Sequence, residues 1–108
     1  MAAVAVAARR YGLKAAEVMN IRGYDTRSDG LMLEARRAAI YLAICGTDMG
    51  GRALHRATGL HRYNIRKHLR WIEDHREVKA DLDLLMDDMT AQVQHLVGPN
   101  MAKMGRAA

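Results

Sequence analysis

With one cysteine, Cys45, the chain can form no intrachain disulfide, which fits a reducing compartment. No apolar run approaches the roughly 18 residues that span a bilayer. Residues 1–8 are hydrophobic, but no basic residue precedes them and Arg9 and Arg10 follow. A secretory signal has the reverse polarity. The opening is therefore expected to be a helix and the protein cytoplasmic. Gly50-Gly51-Arg52 lacks the Lys-Ser or Lys-Thr of a phosphate-binding loop, so no nucleotide is expected as a ligand. His61, His68 and His75 are seven residues apart, about 10 Å per step on a helix, too far for one zinc. They read as a turn residue, a partly buried residue and an exposed one. No nucleophile–base pair presents itself, so an enzyme is not expected and neither is a cofactor. Strand-like alternation, internal repeats and low-complexity tracts are missing as well.

The absence with the most content is of negative charge. Between Asp48 and Glu73 there is no carboxylate, yet the interval holds six cations: Arg52, Arg56, Arg62, Arg66, Lys67 and Arg70. A solvated face normally mixes signs. Residues 73–88 reverse the balance, with seven acids against Arg76 and Lys79, so the formal charge of +5 hides a polarity. A basic surface that is local, rather than general, points to a nucleic-acid footprint, where bound cations release the counterions of a duplex.

Spacing places that surface on two helices. Residues 51–58 read as a short helix, Gly59-Leu60-His61 as a tight turn and residues 62–77 as a second helix. Ile65, Leu69 and Ile72 recur at i, i+4, i+7 and make one buried stripe, which Leu54, Ala57 and Leu60 meet. At about 100° per residue, Tyr63, Arg66, Lys67 and Arg70 then lie on the opposite side. This is the outline of a helix-turn-helix, whose second helix lies in a major groove.

The rest of the chain supplies its support. Val4, Ala8 and Tyr11 suit a helix ending at Gly12, and a short helix over about 14–21 stops before Gly23. A polar loop follows over 22–30. Arginines in such a loop either stay solvated or reach phosphate or a narrow minor groove, and Arg22 and Arg27 are candidates on that ground. Residues 31–45 form the strongest helix, with Leu31, Ala35, Ala38, Leu42 and Cys45 on one stripe, Ile40 and Ile44 widening it, and Arg36 and Arg37 solvated. Gly46 closes it, and Thr47 or Asp48 caps the next helix. Leu82, Leu85, Met89, Val93 and Leu96 make residues 80–97 an amphipathic helix that Gly98-Pro99 ends. The expectation is one all-α domain of about six helices containing a helix-turn-helix over 1–97, with a flexible tail over 98–108.

Several of these stretches resemble the origin-box-binding C-terminal domain of the bacterial chromosomal replication initiator DnaA. Val6-Ala7 and residues 11–18 resemble its opening, residues 35–43 its "RQIAMYLA" helix, and residues 70–76 its "RKIEQLR" segment. The resemblance covers about residues 6–93 and implies a helical fold that binds double-stranded DNA. The family's "GGRDHTTV" reading segment is here Gly59-Leu60-His61-Arg62-Tyr63-Asn64-Ile65, one residue shorter in the turn. Its Asp-His-Thr-Thr becomes His61, Arg62, Tyr63 and Asn64. Arginine suits guanine and asparagine adenine, so the departure implies a site other than the standard initiator box. No counterpart of the family's nucleotide-binding domain occurs in these residues, and ATP-driven initiation is not expected. Isolated domains of this kind occur in alphaproteobacterial phage-like regulators, including activators of gene transfer agents.

The expected function is thus a DNA-binding transcriptional regulator on the nucleoid. Arg22, Arg27, Arg52, His61, Arg62, Tyr63, Asn64, Arg66, Lys67 and Arg70 are its candidate DNA contacts. A role as an accessory or competitor factor at an origin is one alternative. From another class comes a protein-interaction module whose apolar and acidic last helix docks RNA polymerase or a replication partner.

Overall fold

A computed structural model of the chain describes residues 2–19, 30–47 and 49–107, with side chains described for 2–18, 30–47 and 49–97. The described residues form α1 (Ala2–Tyr11), α2 (Ala15–Met19), α3 (Gly30–Cys45), α4 (Gly51–Thr58), α5 (Arg62–Val78) and α6 (Ala80–Ala107). No strand occurs among them, as the helical periodicities require. No helix among them is long and apolar enough to cross a membrane.

Helix α3 is the centre, and α1, α2, α4, α5 and α6 all pack against it. Ala35, Ala38, Ala39, Ile40, Leu42 and Ala43 are buried on it, opposite Ala3, Val4, Ala7 and Ala8 of α1. Small side chains on both partners let the α1 and α3 backbones approach closely, and the larger volumes come from elsewhere: Leu54 of α4, Ile72 of α5, and Met86 and Met89 of α6. Full burial of a side chain such as Leu42 contributes about 1.5–3 kcal/mol. At Gly46 a Cβ would stand 2.7 Å from the Leu42 carbonyl oxygen and 3.2 Å from Val93 Cγ1. The missing side chain is what admits α6 there.

Several expectations are corrected. Leu96, expected on the apolar stripe of the last helix, is 63% exposed, the stripe of α6 being buried only as far as Val93. Leu31 is 49% exposed and Cys45 is exposed, because the apolar stripe of α3 runs past the helices that cover its middle. Arg36 and Arg37 are not solvated: Arg36 is 6% exposed and donates from Nη2 to the Glu17 carbonyl at 3.0 Å, tying α2 to α3. Arg37 is half-buried, facing α5. A central helix is covered on several sides, so its polar residues are drawn into contacts too. His75 is half-buried rather than exposed, its ring stacked on Trp71 at 3.8 Å between centroids.

The cap of α4 also differs. Gly50 occupies it with no side-chain bond, while Thr47 Oγ1 donates to the Ala43 carbonyl and accepts the Met49 N–H at 3.0 Å. Asp48 lies outside the described residues. Finally, α6 runs through Gly98 and Pro99 to Ala107. Proline removes one backbone donor and costs an interior helix about 3 kcal/mol, but Met101, Ala102, Lys103 and Met104 are good helix formers beyond it.

Candidate nucleic-acid interface

Helices α4 and α5 are joined by three residues, and side chains fix the geometry of that turn. Gly59 takes φ 73° and ψ 4°, a left-handed conformation that costs glycine least. Its N–H closes on the His55 carbonyl at 2.6 Å. The Thr58 hydroxyl donates to the Leu54 carbonyl at 2.8 Å and accepts the Leu60 N–H at 3.1 Å. His55 Nδ1 donates to the Leu60 carbonyl at 2.8 Å. His61 is the N-cap of α5, its Nδ1 accepting the Tyr63 N–H at 3.1 Å. Leu54 and Ile65 are buried and Leu60 and Leu69 half-buried beneath, so the expected stripe is the seam between the two helices and α3, except that Ala57, expected to meet it, is exposed on the outer side of α4.

The expected basic side chains all face out. Arg52, Arg56, Arg62, Arg66, Lys67 and Arg70 are exposed, as are His61 and Asn64, and Tyr63 is 69% exposed. Among the described residues none of the six cations pairs with a carboxylate; the ion pairs there belong to Arg76. The first turns of α4 and α5 carry no acid, yet Arg52 and Arg62 sit in them. Each helix N-terminus is the positive end of its dipole, so a cation there opposes it by about 0.3–1 kcal/mol. Stability alone would place the charges the other way.

Three of these side chains come together. Arg52, Arg62 and Arg66 line a cleft of about 320 Å³, whose apolar lining is Ile44, Ile65 and Leu69. Tyr63, Lys67 and Arg70 continue along the outward side of α5, and Asn64 lies on its flank. Arg22 and Arg27 lie outside the described residues.

Two groups that periodicity did not pick out hold α5 in place. Arg37 reaches from α3 to lay its guanidinium 4.2 Å from the centroid of Trp71 and to donate to His68 Nδ1 at 3.4 Å. Burial, with Arg37 and Lys67 nearby, pushes the His68 pKa down from 6.5 to about 4, so this histidine is the neutral acceptor that Arg37 needs. Nearer the far end of α5, Arg76 donates to Tyr41 Oη, to Asp83 at 2.7 Å and to Asp87 at 2.5 Å. Burial pulls the Arg76 pKa down, but the two carboxylates outweigh it and the net shift is upward. Trp71 is the one sequence signal for this arrangement, since a lone large aromatic among cations invites stacking.

Comparison with protein-family models, with curated proteins and with solved structures finds no match to this chain.

Proposed function

We propose that the chain binds double-stranded DNA, with α4, the turn and α5 acting as a helix-turn-helix, and that it regulates transcription on the nucleoid. The observation that carries this reading is the set of six exposed cations without a carboxylate partner among the described residues, two of them set against the dipoles of their own helices. A phosphate backbone turns that unfavourable placement into binding. The likeness of residues 35–43 and 70–76 to the DnaA DNA-binding domain supports the same reading. A regulatory role is preferred to an origin role because His61, Arg62, Tyr63 and Asn64 differ from that family's reading residues.

Arg62, Tyr63, Asn64 and Arg66 are the base readers in this proposal, being in or next to the first turn of the helix that enters the groove. Arg52, Lys67 and Arg70 hold phosphate, which fixes position without reading sequence. Selection of bound duplexes from a random pool, followed by titration of the selected site across salt concentrations, tests the proposal. A recovered consensus with affinity falling steeply in salt is the expected result. Failure to bind any duplex at low salt rejects it.

A further inference from the structure

Among the described residues, the largest apolar exposures outside the basic face lie where α5 ends and α6 begins. Val78 of α5 is 78% exposed and Leu84 of α6 is 67% exposed, while Leu82, Met86 and Met89 of α6 are buried. Neighbours three and four residues away flank a helical side chain, so Leu84 is bordered by Asp81, Asp87 and Asp88, all exposed. Around Val78 the charge is mixed, with Asp74 and Glu77 on one side and the exposed Lys79 on the other, so the acidic border belongs to Leu84. Arg76, which could have neutralised this end, is turned inward to Tyr41, Asp83 and Asp87. What remains at Leu84 is an apolar knob with an acidic rim.

The Arg52–Arg62–Arg66 cleft is its complement. Ile65 is buried and Ile44 and Leu69 half-buried at its floor, and the three exposed arginines form its rim. Apolar floor matches apolar knob, and cationic rim matches anionic rim.

We propose that a second copy of this chain is the occupant: Leu84 of one copy enters the arginine-rimmed cleft of another, with Asp81 and Asp88 set against Arg52, Arg62 and Arg66. Knob and cleft are different surfaces, so the contact is head to tail and extends rather than closing on itself. The contact stands on the match of charge and of apolar surface alone. Its one consequence that rests on the DNA-binding reading is that self-association and duplex compete for the cleft.

Sedimentation of the full chain tests the contact. At low salt the average mass rises with protein concentration, and the association constant falls by about tenfold or more when salt is raised to about 0.5 M, where the Debye length is only a few ångströms. Leu84→Arg abolishes assembly, as does the double change Arg62→Glu and Arg66→Glu. These residues are exposed, and unchanged circular dichroism and Tm confirm that the variants fold; Leu84→Gln is the substitute if Leu84→Arg does not. The deciding measurement mixes the two kinds of variant. The Leu84→Arg protein keeps its cleft and the double variant keeps its knob, so together they form a 1:1 dimer that grows no further.

A parent chain that stays monomeric at low salt overturns the proposal. So does a Leu84→Arg protein that assembles like the parent, or a mixture that does not pair. Adding an arbitrary duplex to the parent separates this inference from the function proposed above. Dissolved assemblies support both. A duplex that binds and leaves the assemblies intact overturns the placement in this cleft. No duplex binding, with pairing in the mixture retained, supports the contact and rejects only the DNA reading.

Discussion

The two halves of α5 share one apolar stripe and differ in what their charged side chains meet. In residues 62–70, Arg62, Arg66, Lys67 and Arg70 are exposed and pair with no carboxylate among the described residues; in residues 71–78, Arg76 is bound by two aspartates and a tyrosine and the remaining charge is acidic. Ion pairing is thus spent where the helix joins α6 and withheld where it leaves the body. The lesson is that pairing, rather than exposure, is what differs between the two halves: Arg76 and Arg66 are the same residue type on one helix, ten positions apart, and only under the proposed function is the unpaired one charge kept for a partner.

The hardest test of this division is Ile72→Ala. Ile72 is fully buried, so denaturant unfolding of the variant should show a loss of about 2–5 kcal/mol; a loss under about 1 kcal/mol means this half does not anchor the helix. The next effect is acid sensitivity at His68. Its folded pKa of about 4 lies below the 6.5 of the unfolded chain, so the unfolded state binds the extra proton between those values. The stabilising contribution is complete above pH 6.5 and drains away as pH falls toward 4, on the order of 3 kcal/mol in all. Subtracting the pH profile of His68→Gln from that of the parent isolates it, and superimposable profiles contradict the burial of this group.

Effects on the exposed half should be smaller and of another kind. Asn64→Ala and Arg66→Ala are each expected to remove about 1–3 kcal/mol of discrimination at one or two base pairs of the selected site. Affinity for unrelated duplexes should barely move. If both variants keep the full sequence preference, α5 is not the reader. Smallest is Lys67→Ala, which should weaken every duplex alike and reduce the salt slope by about one unit. A weakening confined to one sequence would falsify its assignment to phosphate.

Much of the fold was legible because its signals are local. Gly59 and the Ile65–Leu69–Ile72 spacing place the turn and both flanking helices within a residue of where they lie, and Gly12 and Gly46 mark ends correctly. The outward direction of Tyr63, Arg66, Lys67 and Arg70 follows from the same 3.6-residue period. What period could not give is what covers a helix. Arg36 and Arg37 look like the polar side of an amphipathic helix, but α2 and α5 lie over that side, and their partners Glu17, His68 and Trp71 are 19 to 34 residues away in sequence. Leu31 and Cys45 fail for the opposite reason, continuing a stripe that none of the described helices covers. The candidate site was legible in its charge and blank in its relief: no spacing rule brings Ile44 from α3 beneath Arg52, Arg62 and Arg66.

The sorting of charge along α5 also bears on time. Arg62 and Glu77 lie about 15 residues apart, roughly 22 Å along the axis, so the molecule carries a permanent electric moment directed along that helix. In the field of a polyanion it turns before it touches, and a larger share of collisions begins with α5 pointing the right way. At physiological salt the field of a charge fades over about 8 Å, well short of that separation. The acidic end is therefore not pushed off once the basic end is seated. Arrival, more than residence, is what such a helix speeds.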